Sequence, residues 1–235
     1  VLGQEEFLEI FTDDPAVRAI GMHIEGLQDV PRFERAALRA LSKGIPVVAL
    51  KTGSSAIGSA LTVSHTGSLS GSNELYEALF ARTGVISVTN PSQFLETLKF
   101  LCVVGAPKGP RVAGFTCSGG GATMLADYAE KIGLVFPPVG PAYEAALTAL
   151  LPDIATVSNP LDYTTPIWGH GEQTYPVFAQ AIAAVDADVA VLVQDYPAEG
   201  LDASKGYYQQ DAAAFGRAAK ENGLPAAICA TLPEN

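Results

Sequence analysis

The chain has 235 residues, 48% of them hydrophobic and 17% charged, with a formal net charge of −11. That is the composition of a globular protein with one large core or two ordinary ones, not of a disordered segment. The acidic balance argues against nucleic acid or anionic membrane as partners, although N–H groups at helix starts hold phosphate without a basic surface.

The elements alternate. A helix is expected at Gln4 to Phe11, a strand at Arg18 to Ile24, and a helix at Pro31 to Ser42, whose proline suits a first turn. A near-continuous apolar strand follows at Ile45 to Leu50. Then come a helix at Asn73 to Arg82, a strand at Val85 to Val88 and a helix at Ser92 to Val103. Gly105-Ala106-Pro107-Lys108-Gly109-Pro110 is the clearest linker. Beyond it the alternation restarts, with strands at Arg111 to Phe115, Leu134 to Phe136, Val189 to Gln194 and Ala226 to Ala230. Helices are expected at Ala122 to Ile132, Tyr143 to Leu151, Tyr175 to Val185 and Tyr207 to Asn222. Apolar strands separated by helices point to parallel sheets covered on both faces. The expected fold is therefore α/β, with two doubly wound, parallel-sheet domains at 1–106 and 107–235.

Cys102, Cys117 and Cys229 form neither a disulfide framework nor a C-x-x-C pair, so zinc is not expected and a reducing cytoplasm is the expected compartment. No window reaches the roughly 18 apolar residues of a membrane span, and no signal-peptide pattern opens the chain. A start at Val1 and an end close after an apolar run read as a piece of something longer.

The residues that carry chemistry fall at the carboxyl ends of these strands, where α/β sheets bind ligands. In Ser64-His65-Thr66-Gly67-Ser68-Leu69-Ser70-Gly71 a lone histidine lies among small residues just before a helical pattern. Small residues admit close backbone approach, and a helix start offers unpaired N–H groups. An imidazole there can meet or carry a phosphate; the alternative is an ordinary loop or cap histidine. Ser118-Gly119-Gly120-Gly121 follows a strand and opens a helix, which suits an anion site or simply a tight turn. It is neither a P-loop nor G-x-G-x-x-G nor a nucleophile elbow. Glu25 ends its strand where a carboxylate fixes an imidazole tautomer, and Lys51, Ser54 and Ser55 close the next. His23 reads as a core or face residue, His170 as a loop residue, Asn159 and Asp162 as turn formers, and the cysteines as packing, with Cys117 beside the glycine turn.

Lys51-Thr52-Gly53-Ser54-Ser55 followed by Ser64-His65-Thr66-Gly67-Ser68-Leu69-Ser70-Gly71 resembles the NDP-forming acyl-CoA synthetases, relatives of succinyl-CoA synthetase, whose usual pattern is K-x-G-R-S then S-H-T-G-A-L-A-G. The Ser-Gly-Gly-Gly turn, Asp127 to Leu134 and Ser158-Asn159-Pro160-Leu161-Asp162 resemble the second half of that family in order and spacing. The resemblance implies that both domains are flavodoxin-like, that His65 is a phosphorylated histidine and that Glu25 is its partner. It further implies that Gly67 and Ser68, near one helix start, and Ser118, Gly119, Gly120 and Gly121, at another, hold phosphate. Two departures are Ser54 in place of the usual arginine and Cys117 in place of a small polar residue.

Members of the family also carry a CoA-binding Rossmann domain and an ATP-grasp domain, and neither pattern is visible here. The expectation is two central domains, inactive alone, of an oligomeric ligase that joins a small carboxylic acid to CoA using ATP and Mg. The acid is not specified, although Tyr163, Trp168 and Tyr175 are candidates to shape its pocket. Alternatives are a non-catalytic acyl-CoA-sensing or acyltransferase-associated module and a plain flavin-binding flavodoxin-like module; retention of His65 and Glu25 argues against the first.

Overall fold

The computed structural model describes residues 2–55, 57–58, 73–197, 200 and 202–231. The chain divides into two compact units, Val1–Ala106 and Pro107–Asn235.

The first unit runs α1 (Gln4–Asp13), β1 (Ile20–Ile24), α2 (Val30–Ser42), β2 (Val47–Lys51), α3 (Asn73–Thr83), β3 (Ile86–Val88) and α4 (Pro91–Val103). The helices begin where side chains satisfy their first N–H groups. Asp29 Oδ1 accepts from Arg32 N at 2.9 Å at the start of α2, and Asn90 Oδ1 from Gln93 N at 2.9 Å at the start of α4. The strands form a parallel sheet in the order β1-β2-β3, with Val48 aligned to Gly21 and to Ile86. Alternate side chains divide between the faces. Ile20, Met22, Ile24, Val47 and Ala49 pack with Phe33 of α2 and with Tyr76 and Phe80 of α3, whereas Val48 and Leu50 pack with Phe94, Leu98 and Leu101 of α4. Gly21 lets α4 approach, since a Cβ there would stand 2.6 Å from Leu98.

The second unit runs β4 (Val112–Thr116), α5 (Gly119–Lys131), α6 (Pro141–Thr148), β5 (Leu161–Asp162), α7 (Gly171–Ala184), β6 (Val189–Gln194), α8 (Lys205–Glu221) and β7 (Ala226–Ala230). Its sheet is parallel, in the order β5-β4-β6-β7. On one face Phe115 of β4 meets Phe178 of α7 at 5.3 Å and Phe215 of α8 at 5.7 Å, edge-to-face contacts with the rings inclined at 83° and 61°. On the other face a Cβ at Gly114 would stand 2.9 Å from Leu125 of α5 and 2.8 Å from Phe136. Each sheet thus carries helices on both faces, the α/β architecture read from the alternation.

Several boundaries differ from expectation for local reasons. Leu134 to Phe136 is not a strand; Val135 alone bridges to Arg111, because Pro137 and Pro138 end any extension. The helix expected from Tyr143 to Leu151 spans Pro141–Thr148, with proline again in its first turn. The α7 helix starts at Gly171, four residues before the expected Tyr175, and carries Pro176 within it. The Asn159 loop proves to be a clamp. Its Nδ2 donates to Val112 O at 2.9 Å and its Oδ1 accepts from Gly114 N at 3.0 Å, which sets Leu161–Asp162 beside β4 as a short strand.

Candidate functional site

In the first unit the chain leaves β1 through Glu25, Gly26 and Leu27, and two buried side chains from different helices hold this turn. Glu5 of α1, 2% exposed, accepts from Gln28 N at 2.7 Å and Asp29 N at 2.9 Å. Tyr76 of α3 accepts from Leu27 N at 3.0 Å. The half-buried Glu25 lines a polar cleft of about 320 Å³ with Gly3, Gln4, Glu5, His23 and Gln28. His23 is a face histidine whose Nε2 meets Thr52 Oγ1 at 3.0 Å, just past the end of β2. Lys51 ends β2 with its ammonium 4.7 Å from the centre of the Tyr76 ring and bonded to the Thr52 carbonyl. Burial lowers its pKa and the nearby Glu25 carboxylate raises it. Glu25, Lys51, Thr52 and Tyr76 therefore gather at the carboxyl edge of the β1–β2 pair. His65, Gly67 and Ser68 lie outside the described residues.

In the second unit the glycine cluster is the first turn of α5, not a loop before it, so the helix starts three residues earlier than expected. Ser118 caps it, with Oγ accepting from Gly121 N at 3.3 Å. The N–H groups of Gly119 and Gly120 lie in the turn where an α-helix offers no backbone acceptor, and both residues are exposed. Gly120 lines a cleft of about 240 Å³ together with Thr116, Cys117, Met124, Val193, Asp195 and Thr231. Gly121 must be glycine for close packing, because a Cβ there would stand 2.6 Å from Thr116 Oγ1. Cys117 reaches this cleft, yet burial foremost and Asp211 next push its thiol up to about 11, leaving it protonated and a poor nucleophile at neutral pH.

Sequence reasoning missed the group that braces this edge. Asp211 of α8 has no exposed surface, and its carboxylate accepts from Tyr163 OH at 2.9 Å, Thr174 Oγ1 at 3.0 Å and Gly169 N at 3.1 Å. Tyr163 N in turn donates to Thr116 O at 2.9 Å, at the end of β4. An acid in the middle of an alanine-rich helix was the signal available. Tyr163 is thereby a core residue rather than a pocket wall. Tyr175 bonds to Glu221 with its ring under Arg217, 4.0 Å away, and half-buried Trp168 packs on Tyr208 at 5.0 Å. Among the described residues no cluster of three or more His, Cys, Asp and Glu is arranged to hold a metal ion. No helix among them is long and apolar enough to cross a membrane.

The geometry has counterparts in known proteins. Residues 1–101 match the family model of the succinyl-CoA ligase-like flavodoxin domain. The alpha subunit of ADP-forming acetate–CoA ligase II of Pyrococcus furiosus is 33% identical over 188 residues, covering 80% of this chain and 40% of the relative. The chain belongs to the NDP-forming acyl-CoA synthetase family. A trans-feruloyl-CoA synthase from an unknown prokaryotic organism is 33% identical over 69% of the chain and 23% of its own length. Among solved structures, acetyl-coenzyme A synthetase 1 of Ca. Korarchaeum cryptofilum, in complex with phosphate and ADP, superimposes with a TM-score of 0.82. That match covers 97% of this chain and 48% of the other at 23% identity, a likeness of fold. The chain thus spans less than half the length of these synthetase relatives.

Proposed function

We propose that the chain is part of an acyl-CoA synthetase that makes acyl-CoA, ADP and phosphate from a carboxylic acid, CoA and ATP, passing the phosphoryl group through His65. The observation that carries this reading is the 188-residue similarity to an ADP-forming acetate–CoA ligase alpha subunit. In the direction of ATP formation, a phosphate oxygen attacks the thioester carbon and the C–S bond breaks, giving an acyl phosphate and CoA. A ring nitrogen of neutral His65 then uses its lone pair to form a P–N bond while the P–O bond to the acyl group breaks, and the carboxylate leaves with that electron pair. A terminal oxygen of ADP completes the cycle by displacing the imidazole.

In this reading Glu25, on a turn held by Glu5 and Tyr76, accepts a hydrogen bond from the other ring N–H of His65 and so holds the nucleophilic tautomer. Each unit is assigned its own phosphate-holding residues, Gly67 and Ser68 in the first and the exposed first-turn amides of α5 in the second. CoA and nucleotide are taken to bind on a Rossmann and an ATP-grasp domain, in the same or a separate chain of an oligomer. Mg is taken to arrive with the bound nucleotide. With its partner domains supplied, the protein should form ADP strictly dependent on CoA and acid. His65→Asn should abolish that turnover, and wild-type turnover in the variant would refute the reading.

A further inference from the structure

The sheet of the first unit has two outer strands, and they are built differently. On one side β3 has only three residues, Ile86–Val88, with Gly84 shortly before it and Pro91 shortly after it. A short strand between chain breakers offers little to pair with, which is how natural sheets keep their edges from adding neighbours. On the other side β1 has five residues, Ile-Gly-Met-His-Ile, with no lysine, no proline and no bulge in its pairing with β2. Its inner side is used: Ile20 N donates to Pro46 O at 2.9 Å, and Ile24 O accepts from Thr52 N at 3.0 Å. Main-chain groups alternate in direction along a strand, so Gly21 and His23 aim theirs away from β2. Among the described residues no strand pairs there, and the Gln4 side chain donates to His23 O at 2.9 Å. Gln4 Oε1, beside that bond, is buried with no described donor.

A cleft of about 170 Å³ lies along this edge, between β1 and α1. Its outer wall is apolar: Phe7 and Phe11 stack on each other at 6.2 Å and stay 46% and 44% exposed. The acids of α1 are occupied elsewhere, since Glu6 and Glu9 pair with Arg32, and Asp13 pairs with Arg39 and Lys43. We propose that the open edge of β1 is a docking site for a β-strand of the same protein, supplied from outside residues 1–235. Backbone hydrogen bonds to Gly21 and His23 hold this strand, and its alternate side chains cover Phe7 and Phe11. A docked helix would leave the edge N–H and C=O groups unmet, because it spends its own on itself. The strand is apolar, because helices pack on both faces of this sheet. The chain spans less than half the length of its synthetase relatives, so such proteins have sequence to supply it. Nothing in this docking depends on phosphohistidine chemistry.

The test uses the full-length protein in two forms, unaltered for hydrogen exchange and with the photo-reactive p-benzoylphenylalanine in place of Phe7 for cross-linking. In the unaltered protein the Gly21 and His23 amides should exchange about 1,000-fold or more slowly than unpaired amides, as paired strand amides do. Irradiation should join position 7 to a peptide of the same chain outside residues 1–235. Mixing isotopically heavy and light protein shows whether that peptide comes from the same molecule. A cross-link between heavy and light copies means that a second copy fills the edge, and it overturns the proposal. So does a cross-link confined to residues 1–235, a cross-link to a different protein, or none. Fast exchange at Gly21 and His23 overturns it whatever the cross-link, and that measurement stands even if the altered protein fails to fold.

Discussion

Asp211 and Asp188 are both buried acids, but their partners give them opposite pH signatures. Asp211 receives three neutral donors and no guanidinium, so burial raises its pKa above 3.8 against the pull of those bonds. Its contribution to stability is fully present below pH 3.8 and is lost as pH rises through the native value. Asp188, 7% exposed, takes Arg111 Nε and Nη2 at 2.9 Å each and falls to about 2. Its contribution is present above 3.8 and is lost as pH falls through about 2. Denaturant unfolding across pH should separate them. The deficit of Asp188→Asn at neutral pH should vanish toward pH 2, whereas Asp211→Asn should lack the fall in stability above pH 3.8. Asp211→Ala strands a tyrosine hydroxyl, a threonine hydroxyl and an amide, and should cost about 3 kcal/mol or more at pH 7. A loss under 1 kcal/mol would mean that those donors find other acceptors. Neither carboxylate was legible in the sequence as a buried group, because the residues that bury them are distant along the chain: Arg111 lies 77 positions from Asp188 and Tyr163 48 from Asp211.

At the scale of elements, the start of α5 combines a cap, three glycines and a tight contact with β4, and the glycines are not equivalent. A methyl at Gly120 would approach only Ser118 Oγ, at 3.7 Å, whereas one at Gly121 would press on Thr116 at 2.6 Å. Gly120→Ala should therefore hold or raise the thermal midpoint by relieving backbone entropy. Gly121→Ala should lower it and weaken inorganic phosphate binding by the full-length protein. Equal behaviour of the two would contradict the packing described. Ser118→Ala should cost about 1 kcal/mol, as loss of an N-cap does. Elements with strong period and local caps, such as α2 behind Asp29-Val30-Pro31, are legible in the sequence because their signals are local. The short strand β5 was not, because its pairing depends on the Asn159 clamp across to Val112 and Gly114. The early start of α7 likewise follows from Gly169 and Thr174 being held by Asp211, which overrides the breaking tendency of Gly171 and Pro176.

At the scale of the molecule, two parallel sheets each bring unlike groups to their carboxyl ends: an acid–lysine–tyrosine cluster in the first unit and a capped glycine helix start in the second. With 14 Lys and Arg against 25 Asp and Glu, the proposed phosphate sites draw on oriented amides rather than on a basic surface. The family was legible from the order of its motifs along the chain. The bracing by Glu5, Tyr76 and Asp211 was not. The most direct test of the central claim is to incubate the full-length protein with γ-labelled ATP and magnesium and assay acid-labile, base-stable label on wild type and His65→Ala. The account predicts label on wild type that is absent from the variant. A folded, nucleotide-competent wild type without label, or equal label on His65→Ala, would contradict it.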